Sequence, residues 1–151
     1  MENPALRTLL FQMELSRRRL IQPWFSALGL TLGQGQPRIL ARLLQGDGLT
    51  QRELADACAL DAATLSRTLD RLEEMGLIRR EENPDSRRSY LVRLTAAGRE
   101  KAAQVQEGFD RLEELICQGF SQAELERLRR DLERVRANMD RCEALFEGKS
   151  T

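Results

Sequence analysis

Four arginines near the middle of this 151-residue chain have the side chains and the spacing to contact nucleic acid. Arg67 and Arg71 lie about one helical turn apart in the sequence, whereas Arg87 and Arg88 are adjacent. An arginine guanidinium presents paired donors that match a guanine edge or the oxygens of a phosphate. We therefore expect Arg67 to contact a guanine and Arg71 to contact a phosphate.

The same arginines also have a purely structural interpretation. Arg67 can form an ion pair with Asp70, and Arg71 can pair with Glu74, on a solvated helix face. The adjacent pair of arginines can likewise belong to a charged turn that protects a strand edge. The elements that position these side chains decide between the two interpretations.

A helix that begins after Asp61 would position the first two arginines. Asp61 is a typical N-cap residue and Gly76 a typical C-terminal stop. The apolar positions form one stripe, which consists of Leu65, Leu69, Leu72 and Met75. The residues off that stripe that we expect to face DNA are Ala62, Ala63, Thr64, Ser66, Arg67 and Arg71. The alanines are small enough to approach thymine methyl groups, and the hydroxyl groups can hydrogen-bond a base edge or a phosphate.

A shorter helix is expected just before this one. Thr50 and Glu53 have the spacing of a capping box, and residues 59–60 would form the tight turn between the two helices. Exposed amide groups at the start of a helix bind phosphate. The residues expected to hold the DNA backbone without reading its sequence are Arg38, Thr50, Gln51 and Arg52.

A β-hairpin is expected after the second helix. Residues 77–82 and 90–94 alternate as two strands, and residues 83–86 have the composition of a type I turn. The predicted tip carries Asp85, Arg87 and Arg88, and an arginine there can enter the narrow minor groove of A·T-rich DNA. A helix, a tight turn, a second helix and a hairpin outline a winged helix-turn-helix. Its second helix is the recognition helix, which lies in the major groove.

Long amphipathic helices are predicted on both sides of this region. The first is expected to start at Asn3-Pro4 and to be kinked or split at Pro23. Thr95 and Ser121 are expected to cap two more, and the apolar pattern of the last continues to Phe146. The predicted fold is mainly α (α+β), with a two-stranded wing.

The flanking helices have no second core on which to pack. Two copies of the chain would bury these apolar stripes, so we expect a homodimer, although the helices can alternatively cover the core of one monomer. The predicted divisions are an N-terminal dimerisation helix (1–30), a winged helix-turn-helix domain (31–98) and C-terminal dimerisation helices (99–151).

The composition argues against several other classes of protein. The chain contains no histidine, the commonest general base and metal ligand, and no pattern that binds phosphate or metal, so we expect neither an enzyme nor a cofactor. No long apolar run or signal peptide is evident, so we expect a cytoplasmic protein that does not enter the membrane. The net charge is zero, and residues 36–95 carry ten Arg against ten Asp plus Glu, which weakens the case for nucleic-acid binding.

The cysteines do not form a disulfide pattern. Cys58, Cys117 and Cys142 are odd in number and widely spaced. Free cysteine is commonly buried and unreactive, which is the interpretation that we favour for all three. Their redox activity is left open.

The middle of the chain resembles the MarR family (multiple-antibiotic-resistance-type regulators). The matching segments, in order and at matching spacing, are residues 29–31, 49–55, 63–67, 72–80, 85–88 and 94–98. The resemblance implies a dimeric winged-helix regulator of transcription, commonly a repressor, whose DNA affinity falls when a small aromatic or phenolic effector or an oxidant acts on it. It also matches residues 85–87 with the wing motif of the family, which favours Arg87 as the minor-groove residue. Peroxide-sensing members carry a reactive cysteine near the start of the first helix, and this chain has none there.

An effector pocket, by the same resemblance, would lie where the first helix meets the winged domain. Its expected lining is Phe11, Met13, Trp24 and Phe25, which can alternatively be plain core or dimer packing. The leading functional hypothesis is a homodimer that binds a pseudo-palindromic site in double-stranded DNA. The competing hypothesis is a winged-helix adaptor or architectural protein without an effector response, which the neutral charge supports.

Overall fold

The computed structural model describes residues 3–142. They form six helices and three strands: α1 (Leu6–Ala27), α2 (Gln36–Gln45), β1 (Leu49–Thr50), α3 (Gln51–Cys58), α4 (Ala62–Glu74), β2 (Ile78–Asn83), β3 (Ser86–Leu94), α5 (Ala96–Cys117) and α6 (Gln122–Arg141). The mainly α winged helix-turn-helix is confirmed. Phe146 and the ends of the first and last predicted divisions lie outside the described residues.

Local capping residues begin most of these helices as expected. Thr50 and Ser121 form complete capping boxes, and Asp61 accepts a hydrogen bond from the Thr64 amide. The Thr95 hydroxyl accepts a hydrogen bond from the Gly98 amide at the start of α5. These hydrogen bonds satisfy amide groups that have no partner inside the helix.

Helix α1 differs from the prediction at two places. It begins at Leu6, with Ala5 at the N-cap and no side-chain hydrogen bond, so the expected start at Asn3-Pro4 is wrong. It also continues through Pro23 to Ala27, so of the two expected alternatives, a kink or a split, the split is wrong. Ile21 and Phe25 on either side of the proline are buried, and this packing offsets the hydrogen bond that proline cannot donate.

The sheet is antiparallel in the order β1–β3–β2, so it has three strands where we predicted two. Leu49 pairs with Val92 and Thr50 pairs with Leu91. A strand of two residues is too short to show an alternating pattern, which is why β1 could not be recognised in the sequence.

The buried core lies within the first of two compact units, Met1–Leu112 and Glu113–Thr151. Apolar side chains from α1 to α5 and from the sheet meet there, and the largest fully buried ones are Phe25, Ile39, Leu40, Leu43, Leu54, Leu65, Leu69, Leu72, Ile78, Val92 and Val105. The stripe predicted for α4 therefore faces this core, and the opposite face of α4 is exposed. In α6, by contrast, no residue is buried.

Candidate nucleic-acid interface

The N-terminal turn of α4 is held by its own cap. Asp61 accepts a 2.8 Å hydrogen bond from the Thr64 amide and a 2.7 Å hydrogen bond from the Thr64 hydroxyl. These bonds hold the pKa of the Asp61 carboxyl below its usual range, the side-chain bond being the larger cause. The Thr64 hydroxyl is thus already engaged, so a base contact by Thr64 would compete with the cap.

The exposed face of α4 carries the other predicted contact residues. Ala62, Ala63 and Arg67 are exposed, and Ser66 is half-buried beside them. The Arg67 guanidinium donates a 3.5 Å hydrogen bond to the Thr64 hydroxyl. Within residues 3–142, Arg67 forms no ion pair.

The two arginines of α4 differ in their partners. Arg71 lies 3.3 Å from Glu74, as the structural interpretation expected. Asp70, the acid expected to pair with Arg67, instead lies 2.8 Å from Arg80 of β2. A tertiary contact has therefore replaced the pairing that spacing along the helix suggested, and it leaves the Arg67 side chain available.

The wing turns through the two residues Pro84 and Asp85, between the paired residues Asn83 and Ser86. Arg87 and Arg88 thus lie on β3, just after the turn, rather than at the tip. The pairs Glu82–Tyr90 and Asn83–Ser86 are consecutive on β2, whereas on β3 three residues, 87–89, separate them. This β-bulge frees both arginines from the regular ladder, and bulges commonly redirect side chains in this way.

Arg87 and Arg88 are exposed, and neither forms an ion pair within the described chain. The bulge is stabilised by a 2.8 Å hydrogen bond that Asn83 donates to Ser89. The Asp85 amide donates to the side-chain oxygen of Asn83 at 3.0 Å. Asp85 therefore shapes the turn through its backbone, while its carboxylate makes no ion pair among residues 3–142.

The predicted phosphate-binding residues are only partly available. The Thr50 hydroxyl accepts from the Glu53 amide, and the Glu53 carboxylate accepts from the Thr50 amide, both at 3.2 Å. An acidic group therefore already occupies the N-terminus of α3. Gln51 is half-buried, whereas Arg52 and Arg38 are exposed and unpaired in the described chain, which makes the two arginines the better candidates.

The positions of the acidic residues explain how residues 36–95 can have no net charge and still expose arginines. Asp47 pairs with Arg93 and Arg99, and Glu81 pairs with Arg79 and Arg93. The hydrogen bond from Arg93, followed by that from Arg79, lowers the pKa of Glu81. Acids are therefore neutralised at the base of the wing, whereas Arg67 of α4 and Arg87 and Arg88 of the bulge form no ion pair within residues 3–142.

A cavity of about 270 Å³ lies between α1, α2, α5 and the loop after α1. It is lined by Glu14, Arg17, Arg18, Leu32, Gly33, Gly35, Pro37, Arg38 and Phe109. Glu14 accepts hydrogen bonds from Arg17 at 2.8 and 2.9 Å and from Arg18 at 2.9 Å, which lower the pKa of Glu14 to about 2. Basic and aromatic side chains thus meet in one cavity.

The four residues expected to line an effector pocket do not line this cavity. Phe25 is buried and packs edge to face on Phe109, with 5.1 Å between the ring centroids. The Trp24 ring nitrogen donates to the Gln104 carbonyl at 2.9 Å. Phe11 and Met13 are exposed on α1. The sequence could not indicate the arginine lining, because the cavity forms only when α1 folds onto the loop that follows it.

The three free cysteines lie in different environments. Cys58 is buried, as expected, and burial raises the pKa of its thiol. Cys117 is half-buried, with its pKa raised mainly by desolvation, and Cys142 is exposed, against the expectation of burial. Among residues 3–142, no cluster of three or more acidic, cysteine or histidine residues could hold a metal ion, and no helix is long and apolar enough to cross a membrane.

Comparisons with known proteins agree with this geometry. The protein-family model described as "MarR family" matches residues 32–90. An uncharacterized HTH-type transcriptional regulator, YdgJ, from Bacillus subtilis (strain 168) is 30% identical over 113 residues, which cover 75% of this chain and 69% of that protein. A crystal structure of MarR matches with a TM-score of 0.71 and 31% identity, over 97% of this chain and 99% of that chain. A crystal structure of the S. aureus MepR–DNA complex has the same fold, with a TM-score of 0.81 and 24% identity over 90% of this chain and 99% of that chain.

Proposed function

The chain belongs to the MarR family of transcription regulators, which have a DNA-binding winged-helix fold and are not enzymes, and from this we propose that it is a homodimeric, sequence-specific repressor. One observation carries the proposal. Arg67 on α4 and Arg87 and Arg88 in the wing bulge are exposed without acidic partners in the described chain, whereas the arginines at the wing base are paired. A regulator of this kind acts in the cytoplasm, where its DNA lies.

In the proposed complex, α4 lies in the major groove and the wing reaches the adjacent minor groove. Arg67 contacts a guanine, with Ala62, Ala63 and Ser66 close to the bases. Arg71 contacts a phosphate, for which it must exchange its Glu74 partner. Arg87 enters the minor groove, with Arg88 beside it on the phosphate backbone, and Arg38 and Arg52 hold the same backbone.

A homodimer is supported by apolar faces that remain uncovered in one chain. On α1 the large exposed apolar side chains are Leu6, Leu9, Phe11, Met13, Leu15 and Leu20. In the second compact unit they are Leu115, Ile116, Phe120, Leu128, Leu132 and Met139. Faces of this size normally pack against another protein surface, and a second copy of the chain would cover both sets. The predicted dimerisation segments, 1–30 and 99–151, contain them.

Sedimentation of a matched pair of variants tests the dimer. Leu128→Glu and Leu132→Glu place a charge on the apolar face of α6 and should give monomers at concentrations at which wild type is dimeric. Arg127→Glu, on the same helix but off this face, should stay dimeric. A wild-type chain that sediments as a monomer at about 50 µM, where a stable dimer stays associated, would contradict the proposal.

The cavity supports an effector response. Its Arg38 side chain, which forms no ion pair in the described chain, can pair with a carboxylate or phenolate, and Phe109 can pack against an aromatic ring. Arg17 and Arg18 would have to exchange Glu14 for the effector. We propose a small anionic aromatic effector that weakens DNA binding. Benzoate should lower the operator affinity of wild type. An Arg38→Met variant, whose affinity without benzoate is already reduced by the lost backbone contact, should show no further reduction when benzoate is added, and benzyl alcohol, which lacks the charge, should have little effect on either protein.

Selection of bound sequences from a random duplex pool tests the central proposal. It should enrich a pseudo-palindrome whose half-sites lie about one helical turn (about 10 base pairs) apart. Affinity for the enriched site should fall steeply with salt, because phosphate contacts release counterions. A pool without an enriched motif, together with no salt-sensitive binding to DNA, would favour the adaptor hypothesis.

A further inference from the structure

Arg80 connects the wing to the recognition helix. Its side chain extends from β2 to α4, where Nη2 lies 2.8 Å from Asp70 Oδ1 and Nη1 lies 3.5 Å from Glu73 Oε1. The Arg80 side chain is only 18% exposed, although Asp70 and Glu73 are 62% and 46% exposed. The Arg80 Nε atom is buried without a hydrogen-bond partner in the described chain. The guanidinium is therefore directed at the two acids rather than at solvent.

The two acids lie where they would oppose DNA binding. Asp70 follows Arg67 by one helical turn and is exposed on the same helix, and Glu73 lies one turn further. Carboxylates at this place would face the phosphates that flank the major groove, and like charges brought together at an interface weaken association. The charges of Asp70 and Glu73 must therefore be neutralised by a basic group if α4 is to enter the major groove.

We propose that Arg80 is a positioning residue that masks Asp70 and Glu73 from the DNA phosphates and holds α4 against the wing. This proposal rests on the DNA contacts proposed above for α4 and the wing. Arg80 suits the role because its shielded guanidinium can reach both acids at once, which a single lysine ammonium does less well. Arg80 itself then makes no DNA contact, and its effect passes through the acids.

Operator binding by four variants tests this role. Arg80→Met should weaken binding at least 10-fold, and the deficit should shrink as salt is raised, because salt screens the exposed carboxylates. Arg80→Lys should bind with an affinity between those of wild type and Arg80→Met. The triple variant Arg80→Met, Asp70→Asn, Glu73→Gln should recover to within about 3-fold of wild type, since the acids to be masked are gone. Arg79→Met, on the same strand and paired with Glu81, is the matched control and should bind like wild type.

The outcomes separate three explanations. If Arg80 contacts a phosphate directly, the triple variant stays as weak as Arg80→Met, and its salt slope falls by about 0.9 for each phosphate that is no longer neutralised. If Arg80 only stabilises the fold, the deficit of Arg80→Met does not depend on salt and tracks its melting temperature. Either result overturns the inference, as does an Arg80→Met variant that binds like wild type. If wild type itself binds no DNA, the proposed function fails as well. Should Arg80→Met not fold, the Arg80→Lys and triple variants still decide.

Discussion

Arginines have opposite roles at the base of the wing and on the outer surface, which consists of the exposed face of α4 around Arg67 together with the wing bulge at residues 87–89. At the base, Asp47 lies 3.3 Å from Arg93 and 3.1 Å from Arg99, and it also accepts a 3.2 Å hydrogen bond from the Leu94 amide. On the outer surface, Arg67 and Arg87 form no ion pair in the described chain. Arginines at the base therefore stabilise the fold, whereas those on the outer surface are available to a ligand.

This difference explains why a neutral region can still bind an anionic partner. A count of ten basic against ten acidic residues treats all charges alike. The structure pairs Asp47 and Glu81 with arginines at the base, and Asp70 and Glu73 with Arg80, so four of the ten acids are neutralised by arginines other than Arg67, Arg87 and Arg88. Local arrangement rather than net charge sets the field that a DNA phosphate meets.

The largest expected loss of stability comes from a substitution at Gly98, where α5 packs against the backbone at the base of the wing. A Cβ atom on Gly98 would lie 1.8 Å from the Leu77 carbonyl oxygen, which also accepts a hydrogen bond from the Thr95 amide. Gly98→Ala must therefore move α5 away from the wing, and we expect the free energy of unfolding to fall by about 3 kcal/mol or more. Urea unfolding followed by circular dichroism would measure it.

Gly33→Ala is the matched control, because a Cβ atom there meets nothing within 4 Å. Its free energy of unfolding should stay within about 0.5 kcal/mol of wild type or rise slightly. Equal stability of the two alanine variants would mean that the base is not tightly packed, and the base would then not differ from the outer surface in the way described.

Removal of single outer arginines should lower affinity and leave stability unchanged. Arg67→Ala and Arg87→Ala should each weaken operator binding by about 10- to 100-fold, which corresponds to about 1.4–3 kcal/mol, because each removes a groove contact. Arg88→Ala should have the smaller effect of the two wing substitutions. Fluorescence anisotropy with labelled operator and a thermal melt of each variant would separate affinity from stability.

The control for these variants is Arg79→Ala, a substitution at the base. If it weakens operator binding as much as Arg67→Ala does, the assignment of separate roles to paired and unpaired arginines is wrong. If Arg67→Ala melts several degrees below wild type, the Arg67 side chain stabilises the fold after all.

Substitution of Asp47 at the base should give the next largest loss of stability. Asp47→Ala removes the shared acceptor of two guanidinium groups and one amide, and the Asp47 side chain is only 14% exposed. We expect the free energy of unfolding to fall by about 2 kcal/mol, because the partly buried Leu94 amide loses its acceptor and Arg93 and Arg99 each lose a charge partner. The operator affinity of the folded protein should change by less than about 3-fold. Glu82→Ala, an exposed acid with no ion pair in the described chain, should change neither quantity; a matching loss of stability there would contradict the role given to Asp47.

Much of this architecture could be predicted because its determinants are local. Thr50, Asp61 and Ser121 each bond to an amide three residues away, so spacing alone identified their helices. The apolar stripe of α4 likewise follows from helical periodicity.

Features that depend on contacts distant in the sequence could not be predicted. The bulge at residues 87–89 depends on the register between two strands, and the pairing of Asp70 with Arg80 rather than Arg67 depends on how β2 packs on α4. The arginine-lined cavity depends on how α1 meets α2 and α5. In each case a tertiary contact prevails over a preference between near neighbours in the sequence.

The smallest expected loss of stability comes from removing Glu14, which pairs with Arg17 and Arg18 on the exposed surface of α1. Its comparison with Asp47 shows how much the more buried surroundings at the base add to the strength of an ion pair. Hydrogen bonds from Arg17 and then Arg18 hold the pKa of Glu14 at about 2, below its ordinary value of 4.5. A lowered folded-state pKa contributes stability above pH 4.5 that is lost as the pH falls toward 2. Because the Glu14 side chain is 44% exposed and water screens the pair, we expect Glu14→Gln to cost less than about 1 kcal/mol at pH 7.

Urea unfolding of wild type and Glu14→Gln between pH 7 and pH 2.5 tests this expectation. The gap between their free energies of unfolding should narrow below pH 4.5, whereas a gap that is the same at every pH would mean that the ion pair contributes nothing. A gap as large as that of Asp47→Ala would mean that exposure does not decide what these pairs contribute.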